Sequence, residues 1–220
     1  MKCSVCSNEI IGSYCSNCGQ YYKAKRLSLV AFFGDIIDSI FSLEKSFLQN
    51  IKIGLTQPEQ LSLNYWNGFR KFYYSPGKFF AIASLFLLLQ YSIDNGFLGI
   101  VITGNISSQF VILLTSILLL SLSSFLIYLN YRRNIFEHLV LNIYNVSLWT
   151  IIFSPISAIL SLTVNDTIEQ LFYIPYHLLI IIWNSRAFKL TKLKRFMLVT
   201  TNLLLLYGTL ALLVYKFGEF

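Results

Sequence analysis

The twenty residues from Phe110 to Leu129, FVILLTSILLLSLSSFLIYL, carry no charge, and that stretch restricts the whole chain. At about 1.5 Å rise per residue, a helix of this length spans about 30 Å, the hydrocarbon thickness of a bilayer. Its hydroxyl residues Thr115, Ser116, Ser121, Ser123 and Ser124 are compatible with such a helix, because each can bond back to a carbonyl one turn earlier. Tyr128 and Tyr131 followed by Arg132 and Arg133 close it with aromatics and fixed positive charge, the pattern of a cytoplasmic exit. Of the 220 residues, 55% are hydrophobic and 12% charged, against roughly 25% charged in soluble domains. So much apolar surface has no water-compatible shell to cover it. An integral membrane protein is expected.

Four further apolar stretches accompany it. Ser75-Pro76 opens one, apolar from Phe79 to Ile93, which is short unless it continues through Asp94-Asn95-Gly96 toward Thr103. Another runs from about Leu139 to Thr163 with Pro155 as a kink, and a fourth from about Ile168 to Ser185 holds Pro175 near mid-span and His177. The last is Phe196 to Tyr215. Lysine and arginine are dense before the first stretch, absent after it, present at Arg132 and Arg133, absent after the third, and dense again from Arg186 to Arg195. That alternation predicts about five transmembrane helices in a bacterial inner (cytoplasmic) membrane, N-terminus in the cytoplasm and C-terminus outside. The net charge of +7 is accounted for by these flanks, so the expected partner is the lipid bilayer and no nucleic acid.

The N-terminus has a different character. Residues 1–20 contain all four cysteines as two C-x2-C pairs, Cys3, Cys6, Cys15 and Cys18. A C-x2-C turn puts two sulfurs on one side of a tight loop, and two such knuckles complete a tetrahedral four-thiolate site. Gly12 suits a reversal between them; Gly19 suits the left-handed residue after a knuckle, and Ser7 takes that place less ideally. A redox dithiol needs one pair on a folded scaffold, and disulfides need an oxidising compartment. A zinc ribbon holding a structural Zn2+ is expected. Residues 21–77 then form a basic linker, Tyr21 to Arg26, an amphipathic helix capped by Ser28, and an aromatic and basic collar, Tyr65 to Pro76. In that helix Val30, Phe33, Ile37, Ile40, Phe41, Phe47, Leu48, Ile51 and Leu55 share one stripe, expected to pack on the bundle. Residues 78–220 form the membrane domain. No internal repeat is evident.

The double knuckle ending Cys15-Ser16-Asn17-Cys18-Gly19-Gln20, the Tyr65-x2-Gly68-x-Arg70-x2-Tyr73-x2-Pro76 segment and Phe136-Glu137-His138-Leu139-Val140 at the head of a span follow one another in an order that resembles an uncharacterised bacterial membrane-protein family, a domain of unknown function, number 3667. The likeness covers most of the chain, and its specific part is the cysteine block. It implies a cytoplasmic zinc ribbon on a multi-pass membrane domain, with no established activity.

Histidines and charges within a membrane are functional candidates by default. His177, two residues after Pro175, is one; the bland alternative is a hydrogen bond to a neighbouring helix. Glu137 and His138 at the inner interface are the others, with Arg132 and Arg133 near and Asn142 and Asn145 on the same helical face. An interfacial salt bridge explains them equally well. Asp94, Asp166 and Glu169 are expected in solvent, and Tyr128, Tyr131, Trp149 and Trp183 as belts or packing. No Gly-x-Ser-x-Gly elbow, His-Glu-x-x-His pair or Walker sequence is present, so no enzyme is expected. The expected function is a non-enzymatic anchor or assembly component whose ribbon docks a protein partner. The alternative is a small transporter or lipid-handling protein with a site near His177 and Glu137-His138.

Overall fold

The structure, a computed structural model, describes residues 2–22, 47–70, 73–101, 108–164 and 166–217. Most of the expected amphipathic helix, with Ser28, Val30, Phe33, Ile37, Ile40 and Phe41, and the linker from residue 23 lie outside the described residues. The end of that helix is α1, Phe47–Thr56. Pro58 opens α2, Pro58–Trp66, at a position where a missing N–H costs nothing. Ser75 caps α3, Pro76–Tyr91, by accepting from the Lys78 N–H. Then come α4, Ser108–Ile127, α5, Ile135–Thr163, α6, Asp166–Leu171, α7, Tyr173–Arg186, and α8, Lys192–Phe217. Among the described residues β-structure is limited to isolated bridges.

Three of these helices are long and apolar enough to cross a membrane: α4, α5 and the Lys192–Leu213 part of α8. Helix α3 is apolar at 16 residues, and α7 has 14, both short of the roughly 20 that a perpendicular crossing requires. The bundle has an apolar interior, and the outer face of its long helices is apolar as well. Leu114, Leu118, Leu122 and Leu126 of α4 face outward, while Ser116, Ser121, Ser123 and Ser124 of the same helix are buried. Ser121 donates to the Ile117 carbonyl at 2.6 Å, the back-bond that lets a hydroxyl sit in an apolar helix. Where lipid is the solvent, apolar atoms go outside and small polar residues allow close helix contact inside.

Helix α5 is the axis, packed by α3, α4 and α7 and, at one end, by α1 and α2. Gly54 of α1 lies so near Leu148 of α5 that an added Cβ would meet the leucine methyls at 3.0 and 3.1 Å. Trp183 donates to the Gly54 carbonyl at 3.0 Å, and Arg186 reaches the Thr56 carbonyl at 3.0 Å and Glu59 at 3.2 Å. The described end of the amphipathic helix therefore packs on the bundle.

Within the collar, Tyr65, Trp66, Phe69 and Tyr74 are buried in the protein. Tyr65 and Phe79 both meet Tyr144 edge-on, so these aromatics pack against α5. Several expectations need correction. The first apolar stretch stops at Tyr91 and does not continue to Thr103, because the chain reverses at Phe97–Ile100 through two left-handed residues, Leu98 (φ 50°) and Gly99 (φ 67°). The third begins at Ile135, earlier than Leu139, since Asn134 and Glu137 form a capping box. The fourth is two helices meeting at Phe172, which puts Pro175 in the first turn of α7 and not at mid-span; there its missing N–H breaks no helical bond. Pro155 does lie inside α5.

Candidate functional site

Residues 2–21 are two copies of one knuckle, offset by twelve positions, which corrects the expectation of no repeat. The Ser7 N–H bonds to the Cys3 carbonyl at 3.0 Å and the Gly19 N–H to Cys15 at 2.9 Å; the Cys3 N–H bonds to Asn8 and that of Cys15 to Gln20, each at 2.8 Å. The Lys2–Glu9 bridge is matched by Tyr14–Tyr21. Ser7 (φ 60°) and Gly19 (φ 69°) occupy equivalent left-handed positions, where glycine fits without strain and serine does not. This geometry aims all four thiols inward. Their sulfurs lie within 4.8 Å of one another, with Cys3–Cys18 at 3.6 Å and Cys6–Cys15 at 3.4 Å. A tetrahedron with metal–sulfur bonds of about 2.3 Å has edges of about 3.8 Å, so the four cysteines are spaced to hold a metal ion. A disulfide needs sulfurs near 2.05 Å, and all four cysteines are free. The Asn8 backbone amide pulls the Cys6 thiol below its ordinary value, while desolvation and the three neighbouring sulfurs push Cys18 up to about 12. A cation among them favours the thiolate at every position. The ribbon rests on the bundle through Phe69, buried with Cys3, Ile10 and Cys15, and Tyr22 bridges to Phe69 with rings 5.4 Å apart.

The Glu137-His138 pair lies at this same end. Glu137 Oε2 accepts from the Asn134 N–H at 2.8 Å, Oε1 faces Arg133 at 3.3 Å, and the Glu137 carbonyl accepts from the Trp66 indole at 3.0 Å. Its carboxylate is a helix cap and ion-pair partner, as the interfacial salt-bridge reading holds. The N-x-x-E signature at Asn134 was in the sequence and points to this role. His138 is fully buried, its Nδ1 2.7 Å from Ser124 Oγ, with the Phe125, Tyr128 and Phe188 rings around it. Asn142 and Asn145 do share its face, and Asn184 of α7 completes them. Asn145 donates to Asn184, which donates to Asn142, both at 2.7 Å, and Asn142 donates to the His138 carbonyl at 2.9 Å. The sequence offered no signal that Asn184 belonged to this ladder, because pairing across α5 and α7 is tertiary. The Asn184 amide is a polar bond between helices, the usual glue of membrane bundles.

His177 is elsewhere. Its neighbour Tyr176 is level with Thr150, 2.9 Å away, about 18 Å along α5 from His138 at 1.5 Å per residue. The structure does not bring Glu137, His138 and His177 into one site. His177 lines a cavity of about 610 Å³ between α4, α7 and α8, within the usual range for ligand pockets. Ile100, Ile112, Leu119, Leu206 and Leu210 form its apolar walls, and Thr115, Ser116, Tyr173, His177 and Tyr207 its polar margin. His177 Nδ1 is 3.4 Å from the Tyr207 hydroxyl, which also donates to the Tyr173 carbonyl at 3.3 Å. The Tyr173, Tyr176 and Tyr207 rings stand edge-on to the imidazole at 4.5, 5.1 and 5.8 Å.

Glu169, expected in solvent, is 1% exposed and accepts from Ser157 at 2.6 Å. Ser157 in turn accepts from Gln90 at 2.8 Å and from the Leu98 N–H at 2.9 Å. These bonds hold the Phe97–Ile100 reversal in the bundle and so place Ile100 at the cavity wall. The carboxylate was legible as a charge near a helix end, but its burial depends on Ser157 of α5, a tertiary partner; its neighbours Ile168 and Leu171 on α6 are exposed.

Compared with known proteins, the chain matches no family model, no curated protein and no solved structure.

Proposed function

We propose that this is a non-enzymatic, lipid-handling integral membrane protein that holds the hydrocarbon chain of a membrane molecule between α4, α7 and α8. The observation that carries this reading is the cavity of about 610 Å³, roughly twenty water-sized units at ~30 Å³ each, walled by aliphatic side chains in helices fit to cross a membrane. An apolar void facing lipid fills with lipid, since water there would forgo its hydrogen bonds. The test is photolabelling of the full chain in detergent micelles with hexadecane carrying a diazirine. Labels are expected to concentrate on Leu206, Leu210 and the rest of the cavity wall, and Ala211→Trp, at the cavity's exposed edge, is expected to remove them. Labels spread evenly around the bundle, unchanged by Ala211→Trp, would overturn the proposal.

The rest of the architecture enters the same proposal. The metal is zinc in a structural role, because four thiolates match its preferred set and leave no open position. Helices α3 and α7 join the three long helices as fourth and fifth spans, with the ribbon in the cytoplasm of a bacterial inner membrane. Membership of the family catalogued as domain of unknown function, number 3667, belongs here too.

A second reading, that the ribbon docks a protein partner and the bundle anchors an assembly, is favoured by Ile11. This isoleucine is 91% exposed between the two knuckles of a metal-stapled unit, beside Tyr14, which is 52% exposed. Crosslinking in native membranes, comparing the intact chain with an Ile11→Ser variant, tests it: a defined partner lost in the variant supports docking, and self-contacts alone refute it.

A further inference from the structure

Resting on the cavity reading above, we infer that its occupant is a neutral single-chain lipid whose head bears a hydroxyl or carbonyl oxygen, and that His177 with Tyr207 receives that oxygen. Among the described residues, no carboxylate, ammonium or guanidinium lines the cavity. Lys216 follows the lining residue Tyr215 along α8 and is not itself part of the wall. A phosphate or carboxylate head drawn into this space would lose its hydration with no cation to replace it, a cost that excludes charged heads from such sites. A plain alkane would leave the polar margin unused.

The margin is concentrated and not scattered. Tyr173, His177 and Tyr207 are tied together by short contacts, and the aliphatic wall beside them includes Leu206 and Leu210. His177 is 1% exposed, and the 3.4 Å separation of its Nδ1 from the Tyr207 hydroxyl is at the long limit of a hydrogen bond. The two groups are thus close enough to meet one oxygen: the Tyr207 hydroxyl, whose proton goes to the Tyr173 carbonyl, offers a lone pair, and the imidazole donates or accepts according to its tautomer. The edge-on Tyr173 and Tyr176 rings fix the imidazole plane, so the polar pair is held ready without a ligand's help. A cavity that is nearly all hydrocarbon with one convergent polar pair selects for a chain carrying one uncharged polar end.

The experiment is competition against the diazirine-bearing hexadecane in the full chain in micelles at neutral pH, using hexadecanol, hexadecanoate and dihexadecanoyl phosphatidylcholine. Hexadecanol is expected to displace the label at a concentration about tenfold lower than hexadecanoate or the phospholipid, because their charged heads would be buried without a counter-charge. His177→Phe, which keeps the ring volume, is expected to diminish that preference, each competitor being read against the variant's own hexadecane labelling. Competition by hexadecanoate or phosphatidylcholine equal to or better than hexadecanol overturns the inference, as does an undiminished preference in His177→Phe. Failure of the hexadecane label to reach the cavity at all would instead strike the cavity reading itself.

Discussion

Two levels of the bundle each bury a histidine, and they are built on opposite plans. Near the cysteine-bearing end His138 is flanked by three aromatic rings and bonded to Ser124, within a scaffold of helix cap, amide ladder and metal-spaced thiols. Level with the middle of α5, His177 is just as buried but lines a cavity that also takes in Ile100, next to a reversal with Leu98 in a left-handed conformation. The helices differ in the same way. Of its most apolar window, α5 has 56% buried, whereas α8, which walls the cavity, has 17%. A buried histidine in a membrane protein is therefore not a site in itself. What separates structure from capacity is whether neighbouring atoms fill the space around it.

The largest test of this division removes the metal site. The double variant Cys15→Ser, Cys18→Ser removes two of the four thiols and is expected to abolish the zinc binding proposed above, since four-thiolate sites of that kind hold zinc with about 10–16 kcal/mol of apparent free energy and fold with it. Metal content by mass spectrometry and protease cleavage around Phe69 would report the loss. Hexadecane labelling of the cavity should stay as in the unaltered chain; if it falls in parallel, the two levels are one cooperative unit and the contrast is wrong. Because bound thiolates must shed protons, metal retention should also weaken as pH falls.

A smaller effect is expected inside the solid half. Asn184→Leu strips Asn145 of its acceptor and Asn142 of its donor, at a cost of about 2 kcal/mol in detergent unfolding. Metal content should be unchanged. A neutral result would mean that the ladder is incidental and that aromatic packing alone makes the ribbon end rigid.

The sequence disclosed these regions unequally, for physical reasons. Spacing alone exposed the cysteine site, because a knuckle is a local structure and its chemistry needs no long-range contact. Ser75-Pro76 and the charge-free stretch at Phe110 were equally local. His177 could be singled out as a polar group among apolar ones, but the void beside it depends on Ile112, Leu206 and Ile100, which come from distant parts of the chain. Glu137 shows the reverse case: its role was written locally at Asn134, and reading it as part of a membrane polar cluster passed over the nearer explanation. The aromatic collar could be seen as a cluster in the sequence, but only the packing of α2 on α5 decides that Tyr65 and Trp66 are core.

The smallest predicted effect probes the cavity level through its strained turn. Gly99 adopts φ 67°, and its carbonyl accepts from Gln170 at 2.8 Å. A side chain there meets the left-handed penalty of about 1 kcal/mol, so Gly99→Ala should lower stability by about that amount. The turn is clamped on its other side by the bond from Leu98 to Ser157, so strain at Gly99 is passed toward Ile100, the next residue and a cavity wall. Gly99→Ala should therefore reduce hexadecane labelling modestly, by less than the Ala211→Trp block, with metal content unaltered. Unchanged labelling together with the expected loss of stability would show that the wall at Ile100 is held by α4 and α7 alone, and would confine the yielding part of the molecule to α8.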